Sequence, residues 1–275
     1  MTTAPDLSEA AARALQRLEL AQQTLVPCPP VRDLIGADAG TAYAVQHALI
    51  RRRVAAGATV VGRKVGLTSP AVQAQIGVNQ PDFGVLLDDM AYPDRATVPT
   101  RGLLQPKVEA EIAFVLGVDL VDGDLDDAQV RAAVAWVLPA LEIVDSRIAG
   151  WDITFADTVA DNGSSALFVL GAESKTLADI EPVDAEMSMT RDGEVVSTGS
   201  GAACLGDPLN ALAWLARTAR DFGEPLLAGQ VVLSGALGPM VAVTPGDSFA
   251  AEISGLGSVS VSFGSDSDSD ERTSP

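Results

Sequence analysis

The chain has 275 residues, 47% of them hydrophobic, enough to bury a substantial core and to exclude a disordered polymer. A formal net charge of −19 opposes phosphate backbones and anionic bilayers, so nucleic acid and membrane are not expected partners. No apolar run approaches the roughly 18 residues of a membrane span, the first residues lack a basic start and apolar stretch, and Cys28 and Cys204 match no metal or redox spacing. A cytoplasmic protein with free thiols is expected.

Ser8 to Gln23 reads as an amphipathic helix, followed by a joint at Pro27, Pro29 and Pro30. A second helix runs from Asp38 as cap to Gly57 as stop. It holds His47, the single histidine, which has no partner for a His-based triad. Thr59 to Leu67 reads as a strand in which Arg63 and Lys64 point to opposite faces, so one of them points inward. A buried lysine beside a cation has its pKa driven down and can exchange protons at neutral pH; the plainer reading is a side chain that snorkels to the edge. Ser69-Pro70 opens a short helix ending near Gly77, and Gln80 to Gly84 reads as a turn carrying Asp82.

The segment Gln105-Pro-Lys-Val-Glu-Ala-Glu-Ile-Ala-Phe-Val-Leu116 sets two carboxylates into an otherwise apolar strand. Side chains two apart share a face, so Glu109 and Glu111 stand side by side, continued by Ala113 and Val115, with Val108, Ala110, Ile112, Phe114 and Leu116 opposite. Two like charges on a half-buried strand cost several kcal/mol unless something positive lies between them, and a divalent cation answers that need. A wet face with merely solvated carboxylates is the plainer alternative. A third acid follows the apolar run Ala132 to Leu141. Pro139 is expected to end any helix begun at Asp126 or Asp127, leaving Leu141 to Val144 as a short strand with Glu142 a lone interior acid. Three carboxylates without nearby His or Cys make an all-oxygen set suited to Mg²⁺ or Mn²⁺, with about half of an octahedral shell open.

Asp157 to Ser165 reads as a polar loop entering a strand at Ala166 to Leu170; it could orient a carboxylate, although capping a turn is the default. Asp207 as cap, Pro208 at the first turn and Gly223 past the end mark a further helix. Val231 to Ser234, Met240 to Val243, Ser248 to Ile253 and Ser258 to Phe263 read as short strands, and the Ser/Asp-rich tail after Phe263 as disordered. Cys204, lacking a His partner, reads as a small hydrophobe. Neither alternating βα units nor a glycine-rich dinucleotide fingerprint is present, which argues against a Rossmann fold.

Six stretches in order, Val61 to Thr68, Gly77 to Gly84, Leu104 to Ile112, Trp136 to Glu142, Asp157 to Asn162 and Gly235 to Ala242, make the chain resemble the 2-hydroxypenta-2,4-dienoate (2-keto-4-pentenoate) hydratases of the fumarylacetoacetate hydrolase superfamily. The resemblance implies an α+β fold with a mixed, rolled β-sheet core and a helical N-terminal region. The expected divisions are a helical region over 1–80, a catalytic core over 81–263 and an acidic tail over 264–275. It carries metal ligation onto Glu109, Glu111 and Glu142, acid/base roles onto Lys64 and Asp82, and a substrate contact onto Ser164. It also implies bound Mg²⁺ or Mn²⁺, a homo-oligomer (pentamer or decamer), a small 2-oxo or 2-hydroxy-dienoate substrate and a possible pathway aldolase. The expected reaction adds water to 2-hydroxypenta-2,4-dienoate to give 4-hydroxy-2-oxopentanoate in meta-cleavage catabolism. A 4-oxalocrotonate decarboxylase is the nearest alternative, disfavoured by Asp82, since decarboxylation needs no group to deliver water. A fumarylpyruvate-type hydrolase is disfavoured by Glu142 in place of Asp, and a non-catalytic scaffold subunit by the presence of all five acid, base and ligand positions.

Overall fold

A computed structural model describes residues 7–69, 73 and 78–265. The expected short helix after Ser69 and most of the acidic tail lie outside the described residues. Three helices open the chain. Helix α1 (Glu9–Thr24) is capped by the Ser8 hydroxyl, which accepts from the Ala11 amide at 3.2 Å, and it buries Leu15 and Leu18. After the short α2 (Arg32–Ile35), α3 (Ala39–Ala55) starts at Asp38, whose carboxylate accepts from the Thr41 amide at 2.8 Å. No helix among the described residues is long and apolar enough to cross a membrane.

Two mixed sheets form the rest. The eight-stranded sheet comprises β1 (Val60–Gly66), β2 (Asp82–Leu87), β3 (Ala91–Pro93), β5 (Lys107–Leu116), β6 (Val134–Val144), β7 (Ser165–Leu170), β10 (Val231–Ala236) and β11 (Val241–Ala242). Its spatial order is β2-β1-β10-β5-β6-β7-β3, with β11 on the open end of β5. The five-stranded sheet, β4-β13-β12-β8-β9, is built from β4 (Ala96–Val98), β8 (Glu186–Arg191), β9 (Glu194–Ser200), β12 (Ser248–Ile253) and β13 (Gly257–Phe263). Helices α4 (Asp127–Ala133), α5 (Phe155–Ala160) and α6 (Pro208–Asp221) connect them, α6 with Asp207 and Pro208 in the expected capping places. The fold is α+β as expected, and β1 already belongs to the large sheet.

Pairing in the large sheet gathers the chemistry. Strand β1 runs parallel to β10 and antiparallel to β2, with Lys64 opposite Leu233 on one side and Gly84 on the other, and Gly66 opposite Asp82. Strand β10 pairs with β5, and β5 with β6, where Glu109 sits directly across from Glu142. Paired residues share a face, so Lys64, Asp82, Glu109, Glu111 and Glu142 project from one side of the sheet.

Two elements depart from expectation. Gln80 to Gly84 is not a turn throughout, because Asp82 begins β2 and is held by the β1 ladder. Pro139 does not delimit a short strand: α4 ends at Ala133 and β6 runs on through Pro139 to Val144. The proline is tolerated because its carbonyl, and therefore its missing N–H, faces β7, whose ladder stops at Leu170 opposite Ala140; the Pro139 oxygen accepts from Gly171 N at 2.8 Å. Its ring packs on Gly171, where any side chain would collide with the ring, since a Cβ would stand 2.6 Å from Pro139 Cγ.

A buried ion pair locks the turn after α5 to the end of β6. Arg147 Nε donates to Asp161 Oδ1 at 2.5 Å, Arg147 N to Asp161 Oδ2 at 3.0 Å, and Arg147 Nη1 to the Ser165 carbonyl at 3.1 Å. Asp161→Ala leaves a buried guanidinium without its counter-charge and is expected to cost about 3–5 kcal/mol, read as a lower urea midpoint at unchanged m-value.

Candidate metal centre and its cavity

The carboxylates of Glu109, Glu111 and Glu142 each offer an oxygen, and these oxygens lie within 4.8 Å of one another. All three side chains are buried. The period-two pattern puts Glu109 and Glu111 on one face of β5, and the antiparallel register places Glu142 against Glu109. Each of two ligands has one oxygen held from behind. Glu111 Oε2 accepts from the Gly235 amide at 2.7 Å, and Glu142 Oε1 from the Ser165 hydroxyl at 2.9 Å. Among the described residues Glu142 Oε2 has no hydrogen bond, although Lys64 Nζ stands 3.4 Å away.

The protein alone leaves this charge unsettled. Burial first, and then Glu142, push Glu109 up to about 7; burial, Glu142 and Glu109 push Glu111 well above the ordinary carboxylate range. A buried carboxylate oxygen without a donor, inside a cluster of three acids, is what a hard divalent cation satisfies, so the residues fit such an ion.

Lys64 enters from β1 and is 4% exposed, as is Arg63. The expectation that one of the two points inward is therefore exceeded, since both faces of β1 are covered. Arg63 pairs with Glu224 at 2.9 Å, and His47 lies 3.4 Å from the same carboxylate, away from the carboxylate trio. Burial opposes charge on Lys64, but Glu142, Asp82, Glu109 and Glu111 outweigh it and hold the ammonium above its ordinary range. The lowering expected of a lysine beside a cation is thus reversed when only the carboxylates surround it.

Asp82 is 1% exposed; its Oδ2 accepts from the Thr158 hydroxyl at 3.2 Å, and its Oδ1 has no hydrogen bond among the described residues. Burial raises its pKa against the pull of Lys64. Gly66 makes room for the pair. A Cβ there would lie 2.1 Å from Asp82 Oδ1 and 3.4 Å from Lys64 Nζ, so both groups flank one point. Ser164, in the left-handed region at φ +55, is buried with a hydroxyl that has no partner among the described residues.

Lys64, Asp82, Glu109, Glu111 and Ser164 line one cavity of about 120 Å³, room for about four waters at ~30 Å³ each. Its apolar wall includes Val65, Val144, Trp151, Ile153 and Met240. Asp157 is not part of it. Only the first part of the expected polar loop, Asp157 to Ala160, is helical, in α5. Asp157 caps that helix, accepting from Thr154 N at 2.9 Å and from Arg32 Nη1 at 2.7 Å, while Thr158, Gly163 and Ser164 of the same segment line the cavity. Cys204 is buried and donates to the Ser234 carbonyl at 3.0 Å. Sequence reasoning missed Thr158, Ser165 and Gly235. Hydroxyls and glycines that support other residues carry no spacing of their own.

A buried acidic trio beside a largely apolar cavity, on a mixed sheet with a lysine and an aspartate next to it, defines a class. The family model for the fumarylacetoacetate (FAA) hydrolase C-terminal region matches residues 59–263, and the chain belongs to this family. Within it, the chain is 53% identical over 251 residues to a 2-keto-4-pentenoate hydratase of Paraburkholderia xenovorans (strain LB400), covering 91% of this chain and 93% of that one. It is 45% identical over 224 residues to a 2-hydroxyhexa-2,4-dienoate hydratase of Comamonas testosteroni, covering 81% and 85%. Among solved structures, 4-oxalocrotonate decarboxylase from Pseudomonas putida G7, complexed with magnesium and adipate, superposes with a TM-score of 0.89 at 35% identity, covering 95% of this chain and all of that one.

Proposed function

We propose that this protein is a divalent-metal-dependent hydratase that adds water to 2-hydroxypenta-2,4-dienoate, giving 4-hydroxy-2-oxopentanoate, in meta-cleavage catabolism of aromatic or sterol compounds. The observation that carries the reading is the clustering of Glu142 with Glu109 and Glu111, which line one cavity together with Lys64 and Asp82. Hydratase-named relatives at 53% identity over nine-tenths of the chain support the reaction type.

Glu109, Glu111 and Glu142 would hold Mg²⁺ or Mn²⁺. When bound, the ion supplies Lewis-acid withdrawal of electron density from the substrate's C2 oxygen. The overall change is the gain of one water: a proton goes to C5, hydroxide to C4 and a proton to C3, while the C2 hydroxyl loses its proton. Lys64 Nζ and Asp82 Oδ1, facing one point, are the proton carriers. Thr158 ties down the other Asp82 oxygen, leaving Oδ1 for the reacting molecule. The unpartnered Ser164 hydroxyl supplies a substrate hydrogen bond, and the apolar wall excludes bulk water. The product is an aldol, so an aldolase is the class of enzyme that would consume it. The same reading takes the protein as a cytoplasmic homo-oligomer, pentameric or decameric.

The likeness to a solved decarboxylase favours a second reading, loss of CO₂ from 4-oxalocrotonate. One assay separates them. EDTA-stripped protein is expected to leave the ultraviolet band of fresh 2-hydroxypenta-2,4-dienoate untouched, and added Mn²⁺ to abolish it with formation of 4-hydroxy-2-oxopentanoate. An unchanged band with metal bound, and CO₂ released from 4-oxalocrotonate, would give the decarboxylase instead.

A further inference from the structure

We propose that Lys107 is a substrate-binding residue that receives the carboxylate of the acid entering the cavity; the hydratase reading is needed only to say which acid that is. Lys107 opens β5 two residues before Glu109, so its side chain leaves the same face of the strand as the acidic trio. Its Nζ lies 4.2 Å from the centroid of the Trp151 ring, and Trp151 lines the cavity.

That ring is a fixed platform. Its indole N–H donates to the Gln105 carbonyl at 3.1 Å. The Gln105 side chain in turn binds the loop carrying Trp151, donating to Ser146 O and Ile148 O at 2.9 Å each and accepting from Gly150 N at 2.7 Å. Trp151 itself is held at φ +56, a left-handed conformation that a bulky residue keeps only where its surroundings enforce it.

The ring face attracts the ammonium by its quadrupole and engages at most part of its N–H set, so donors of Lys107 stay available to an acceptor. Among the described residues Lys107 forms no ion pair with any carboxylate; Glu109, two residues on, is the one carboxylate whose charge acts on it. Lys64, the cation that lines the cavity among the described residues, faces Glu142. Residues 69–79, which follow β1, contain no Lys, Arg or His. An anionic substrate approaching a chain of net charge −19 therefore meets, beside the acidic trio, an ammonium that no carboxylate among the described residues pairs, where local charge, and not the bulk surface, decides binding.

The test is calorimetric titration of Mn²⁺-loaded protein with 2-oxopentanoate, an acid with the same 2-oxo head that cannot be hydrated, alongside separate Mn²⁺ titrations. Lys107→Met is expected to weaken 2-oxopentanoate about ten- to hundredfold, the range of a lost charged hydrogen bond, and to flatten the salt dependence of binding. Mn²⁺ affinity is expected to stay within about threefold, and Lys107→Arg, which keeps charge and stacking, to bind the acid within about threefold of the parent protein. In turnover KM rises with kcat little changed. Unaltered acid affinity in Lys107→Met would overturn the proposal. So would an equal loss of Mn²⁺ affinity, which would mean that Lys107 only offsets Glu109, or failure of the parent protein to bind 2-oxopentanoate. Acid binding without any dienoate turnover would remove the hydratase reading and leave Lys107 judged on the titration alone.

Discussion

Lys64→Ala is expected to lower kcat for the dienoate by about 10²–10⁴-fold, the usual contribution of a positioned acid or base, while Mn²⁺ affinity holds or improves. The two readouts diverge because of where the ammonium stands. Lys64 Nζ is 3.4 Å from Glu142 Oε2 and lines the cavity, so it stands beside both the carboxylate trio and the proposed substrate space. On the proposed mechanism its removal deletes a proton carrier but also deletes a positive charge that competes with a metal for the carboxylates. A structural lysine would give the opposite pattern, with turnover intact and folding impaired. Turnover within about threefold of the parent would withdraw Lys64 from the chemistry; isothermal titration with Mn²⁺ beside steady-state kinetics decides it.

Glu109→Gln is expected to abolish Mn²⁺ binding at micromolar concentrations, with loss of turnover, and at the same time to raise the Tm of the metal-free protein by about 2–4 °C. The amide keeps the shape of the side chain and removes one of three buried acids. Burial and the neighbouring Glu142 hold Glu109 up to about 7, so its ionised form opposes folding in the absence of a cation. With Mn²⁺ present the order reverses, because only the parent protein gains stability from ligation. Differential scanning calorimetry with and without Mn²⁺ reads both arms. A Tm that falls in the metal-free variant would show that Glu109 is compensated by groups other than a metal.

Much of this centre was legible in the sequence, for a physical reason. Glu109 and Glu111 stand out because a strand's period of two turns spacing directly into geometry, and Glu142 because an acid in an apolar run needs a partner. What the spacing could not supply was the register that sets Glu142 against Glu109; that is a property of two strands. Asp82 was read into a turn from its Pro and Gly neighbours, whereas pairing with β1 extends it into a strand, tertiary contacts overriding local propensity. Pro139 misled in the same way. A proline is a breaker only where its N–H is wanted, and at that residue the β7 ladder has already ended. Strands β8 and β9 were missed because they mix exposed polar residues with few buried ones, Met187, Met189 and Ser197 among them. The helical opening and α6 were legible because caps and stops are local.

The parallel pairing of β1 with β10 fixes when the centre can exist during synthesis. Strand β10 is the only link in the described sheet between β1 and β5, and it is made near the end of the chain. Until residues 231–236 leave the ribosome, the half carrying Lys64 and Asp82 has no strand to join it to the half carrying the three glutamates. Closing so long a loop is slow, and the nascent chain would meanwhile hold a cluster of acids without its lysine.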